Sequence, residues 1–136
     1  RVPFEMDRAT VISEGTDLAI IACGEMVLPA MQAAELLKER GISAAVLDMY
    51  CLKPLDEKAV ITAAEGVKAV ITVEEHAPFG GLGAMVSQVL AKNCPRKMDI
   101  LALPDAPVIT GTSKEVFDYY GLNAEGIAKK AMELLT

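Results

Sequence analysis

Short, uninterrupted apolar runs alternate along this chain with longer stretches in which apolar residues recur every three or four positions. Residues 18–23 form such a run, rich in isoleucine and bounded by Asp17 and Gly24. A run with no polar face suits a strand buried on both sides, as in a parallel sheet. Residues 44–50, 69–73 and 98–103 repeat the pattern, the last broken by Pro104. Residues 9–13 read as a shorter edge strand before a turn at Glu14-Gly15-Thr16. Between the runs, Val27, Ala30, Met31, Ala34 and Leu37 fall at helical spacing, and Gly41 ends that helix. Residues 56–65 predict a second helix, capped by Asp56, stapled by Leu55 and Val60, and ending at Gly66. Leu82, Met85, Val86, Val89 and Leu90 mark one buried stripe on a third. Ser113 is placed to cap a short helix that runs to Tyr120 and stops at Gly121. Asn123 is placed to cap the last helix, with Leu122 and Ile127 as its staple. Strands alternating with helices of this length imply βαβ crossovers. The expected fold is a three-layer α/β/α domain with a mainly parallel open sheet and an antiparallel edge strand.

Composition narrows the picture without naming a function. The chain has 136 residues and 52% hydrophobic content, enough for one proper core. Residues 1–8, with Pro3, read as an entering linker, and residues 9–136 as a single domain. The first residue is arginine, so the expectation is a domain cut from a longer protein. A formal charge of −6 and a pI near 4.8 argue against nucleic-acid or anionic-membrane surfaces. No apolar run reaches the length of a membrane span, and no secretory signal is visible. The three cysteines, Cys23, Cys51 and Cys94, are widely spaced and odd in number. That favours reduced thiols in a cytoplasmic protein over a disulfide framework or a zinc site.

Candidate chemistry gathers where the 69–73 strand ends. Glu74-Glu75-His76 is followed by Gly80-Gly81-Leu82-Gly83 at the start of a helix. In open α/β sheets that end of a strand borders the crevice where ligands bind. His76 is the sole imidazole, the side-chain type whose unperturbed range reaches neutral pH, yet a histidine holding its own loop is the plainer reading. Glu74 and Glu75 point to opposite faces if the strand continues, which works against paired-carboxylate catalysis. One of them is better placed to cap the following helix or to meet a basic residue on a partner. The glycines lack G-x-G-x-x-G spacing and a following Lys-Ser or Lys-Thr, so neither nucleotide fingerprint fits. Close packing of helix on strand is the favoured reading, and an anion at the helix start the minority one. Cys23 reads as a packed thiol, and Met26, Met31, Met85 and Met132 as core filler. Nothing in the sequence makes a self-sufficient active or metal site.

Glu74-Glu75-His76 with Gly80-Gly81-Leu82-Gly83 resembles the signature of the transketolase C-terminal domain. Three further stretches agree in order: residues 15–24, Leu52-Lys53-Pro54-Leu55-Asp56, and Tyr119-Tyr120-Gly121-Leu122. Residues 53–56 and 120–122 are most similar to transketolases encoded as two subunits. The resemblance implies two-carbon ketol transfer between sugar phosphates, with thiamine diphosphate and magnesium in the intact enzyme. It implies that this domain serves dimer and interdomain packing and is inactive in isolation. No cofactor or metal ligand is carried over, because the chain has neither the family's diphosphate–magnesium motif nor its activating glutamate. Glu74, Glu75, His76, Gly80, Gly81 and Gly83 become interface or channel-rim candidates, and no catalytic residue is assigned. The implied partners are the other transketolase domains or subunit, in a homodimeric or heterotetrameric parent. Two alternatives stay open. One is the matching domain of a 2-oxoacid dehydrogenase beta subunit or deoxyxylulose-phosphate synthase; the other is a regulatory module binding an anion at residues 80–83.

Overall fold

A computed structural model describes residues 8–50, 52, 54–75, 81–104 and 111–136. Among these residues five strands form one sheet: β1 (Thr10–Ser13), β2 (Leu18–Ala22), β3 (Ala44–Asp48), β4 (Ala69–Val73) and β5 (Lys97–Leu101). Their order is β1-β3-β2-β4-β5. The last four run parallel, and β1 pairs antiparallel with β3 through a register shift between Val11 and Ser13. Five α-helices accompany them among the described residues: α1 (Val27–Glu39), α2 (Glu57–Glu65), α3 (Leu82–Asn93), α4 (Ser113–Tyr119) and α5 (Ala124–Leu135). Among the described residues, no helix is long and apolar enough to cross a membrane.

Strand alternation divides the core into two layers. Leu18, Ile20 and Ala22 of β2, with Ile71 and Val73 of β4, face α1 and α5. Ala19 and Ile21, with Val70, face α2 and α3. Every residue of β2 and β4 is buried, which is why these segments show no polar alternation. The three-layer architecture and the antiparallel edge are therefore as expected.

The helix ends follow their local chemistry. Asp56 accepts from the Ala59 N–H at 3.0 Å, and Asn123 from the Gly126 N–H at 2.7 Å. Gly41 turns the chain at φ 77°, the left-handed conformation that glycine adopts at least cost. Two expectations need correcting. The cap of α4 is Thr112, not Ser113: its hydroxyl accepts from the Glu115 N–H, and the Glu115 carboxylate accepts from the Thr112 N–H. The buried residues of α1 are Ala30, Ala33 and Leu37, whereas Met31 is 38% exposed. The helix packs on α5 as well as on the sheet. That turns Ala33 inward and moves Met31 to the groove beside β1. Met85 and Met132 are half-buried; Met26, at 1% exposure, is the core filler expected of it.

Candidate functional site

The strand order reverses between β2 and β4. From β2 the chain passes through α1 to β3 on one side, then returns through α2 to β4 on the other. Helices α1 and α3 leave the adjacent ends of β2 and β4 on opposite faces of the sheet. This divergence opens the crevice in which α/β proteins usually hold their ligands. Cys23 and Gly24 border it from β2, Asp48 from the end of β3, and Glu74 and Glu75 from β4.

In this protein two carboxylates of its own stand at the β4 end of that edge. Glu74 is fully buried, and its two oxygens accept the first N–H groups of α3: Leu82 N at 3.0 Å and Gly83 N at 2.8 Å. Those donors belong to the unpaired first turn of a helix, and the negative charge sits at the positive end of its dipole. The arrangement needs two glycines for two reasons. A Cβ at Gly81 would overlap the Glu74 carboxylate itself. A Cβ at Gly83 would come within 2.6 Å of the Ile100 side chain, so the bare backbone lets α3 lie close on β5. Glu75, one residue on, faces the other way. Its Oε1 lies 2.5 Å from where a Cβ on Gly24 would stand, over the start of the turn leading into α1. Gly24 has φ 62°, a second reason for glycine there.

The electrostatics follow from this crowding. Burial, then the charges of Glu74, Glu75 and Asp48, push the Cys23 thiol up to about 11. At neutral pH such a thiol stays protonated, and Cys23, partly buried, packs against the α2–α3 side of the core. Burial also raises the Asp48 carboxyl above its ordinary range. Beneath Glu74, the Thr72 hydroxyl is wholly buried and has no hydrogen-bond partner among the described residues. No group of three or more acidic, histidine or cysteine side chains suited to a metal ion occurs among the described residues.

The sequence candidates thus separate. Glu74 and Gly83 lie inside the domain, Glu75 and Gly81 are half-buried at its surface, and His76 and Gly80 lie outside the described residues. The expectation that adjacency drives the two glutamates apart holds, and of the two roles expected for one of them, capping the next helix or meeting a basic residue on a partner, Glu74 takes the cap. An anion at the Leu82 and Gly83 N–H groups finds the seat already filled by Glu74. Sequence reading missed the contact of Glu75 with Gly24 and the approach of Asp48 to Cys23. Both join residues from different strands, and strand order is what brings them together.

Known proteins resemble this chain in sequence and architecture. The family model "Transketolase, C-terminal domain" matches residues 7–127. An apulose-4-phosphate transketolase subunit from Phocaeicola vulgatus is 48% identical over 132 residues, covering 97% of this chain and 42% of that protein. A 1-deoxy-D-xylulose-5-phosphate synthase from a Synechococcus species is 39% identical, covering 94% of this chain and 20% of the relative. A solved chain described as "Split gene transketolase, inactive beta4 tetramer" superposes with a TM-score of 0.93 at 36% identity. It is matched over 98% of this chain and 44% of its own length. The chain therefore spans less than half the length of these relatives.

Proposed function

This chain belongs to the transketolase C-terminal domain family, and on that footing we propose that it is the C-terminal part of a thiamine diphosphate-dependent transketolase. The parent enzyme moves a two-carbon ketol unit between sugar phosphates, with pentose phosphates as the first substrates to try. The observation that carries this reading is the 48% identity to the Phocaeicola transketolase subunit across 97% of the chain. Residues 9–136 act as one domain, entered through residues 1–8, in a cytoplasmic enzyme built as a homodimer or a heterotetramer.

The residues at the crevice do not fit thiamine diphosphate or its magnesium. The Leu82 and Gly83 N–H groups that would greet a diphosphate are taken by Glu74, and Asp48 and Glu75 border the same edge. The cofactor belongs to the remainder of the parent enzyme, and this domain supplies rigidity and contact surface. Glu75 and Gly81, with His76 and Gly80, are its interface or channel-rim residues. Glu74 and Gly83 support them from inside.

The test is ketol transfer by the parent protein, co-expressed with any neighbouring subunit and supplied with thiamine diphosphate and magnesium. Pentose phosphates are offered first, with pyruvate and branched 2-oxo acids as controls. Transfer between sugar phosphates is the expected result. Turnover of 2-oxo acids alone would overturn it and move the parent to a decarboxylase or deoxyxylulose-phosphate synthase, a branch the Synechococcus relative keeps in view.

A further inference from the structure

We draw no further inference here: the strongest candidate, the apolar groove between edge strand β1 and α1 lined by Ile12, Met31, Ala34 and Ile42, is an unpartnered face, and nothing in the structure shows what covers it.

Discussion

Glu74 illustrates how one side chain can decide between two readings of a motif. A glutamate after a strand and glycines before a helix are compatible with a ligand site or with an internal cap. The hydrogen bonds to Leu82 and Gly83 select the cap. Removing the carboxylate strands two buried N–H groups, each costing about 1–3 kcal/mol. Glu74→Ala should therefore lose about 2–6 kcal/mol in urea unfolding. Glu74→Gln should lose less, about 1–3 kcal/mol, since its amide NH2 would face one donor with another. A Gln variant with the wild-type midpoint would show that the carboxylate does not hold α3. Cys23 offers a second test at this scale. With its thiol near 11, site-resolved alkylation should stay slow at pH 8 and rise towards pH 11. The linkage has a definite sign. A folded-state pKa above the unfolded one gives stability that is present below about pH 9 and lost as pH climbs through about 11. Relative to Cys23→Ser, the wild-type protein should lose stability across that interval. A fast, pH-flat alkylation at Cys23 would contradict its burial and the crowding of Glu74, Glu75 and Asp48 around it.

Helix α3 meets β5 through a missing side chain. A methyl at residue 83 would press on Ile100, and overpacking of this kind costs about 1–3 kcal/mol. Gly83→Ala should show that loss in thermal unfolding, offset in part by the better helix propensity of alanine. Ile100→Ala on its own should also destabilise. The double variant should be less destabilised than the sum of the two, with a coupling of about 0.5–3 kcal/mol. Strict additivity would mean that the two residues do not touch. Elements of this sort were largely legible in the sequence wherever one local rule governed them. The doubly buried strands β2 and β4 follow from unbroken apolar runs, and the caps Asp56 and Asn123 from short polar residues before helical spacing. Legibility failed where two rules competed. Thr112 and Ser113 are both good caps, and the glutamate three residues beyond Thr112 decides between them. Met31 and Ala33 compete for the buried face of α1, and the choice depends on α5, which lies far along the chain. In the site, strand alternation is local and sends the two glutamates apart, so a cap from one of them could be read, but the choice of Glu74 could not. The approach of Glu75 to Gly24 could not, because it requires β2 and β4 to be neighbours.

At the scale of the whole molecule, the two core layers share their strands. Leu18, Ile20 and Ala22 bury against α1 and α5, while Ala19 and Ile21, from the same five residues, bury against α2 and α3. Neither layer can separate without exposing the apolar face of a sheet that still has to support the other. The Glu74 clamp adds to this by tying the end of β4 to α3 on one face, while Glu75 rests against the start of α1 on the other. The 136-residue chain should therefore unfold in a single transition, with far-UV circular dichroism and tyrosine fluorescence tracing the same urea curve. Separated curves, or earlier loss of hydrogen-exchange protection in α3 than in α1, would mean that the layers are independent. The Glu74 cap also bears on what the chain does in isolation. A domain whose helix-start N–H groups are taken by its own Glu74 can fold fully and still lack chemistry, because in thiamine-dependent enzymes carbanion stabilisation is supplied by the cofactor. Purified and cooperatively folded, it should give no ketol transfer with thiamine diphosphate and magnesium, and activity should appear when the remainder of the parent enzyme is present. Ketol transfer by the folded chain without that remainder would overturn the assignment of the cofactor to the rest of the enzyme.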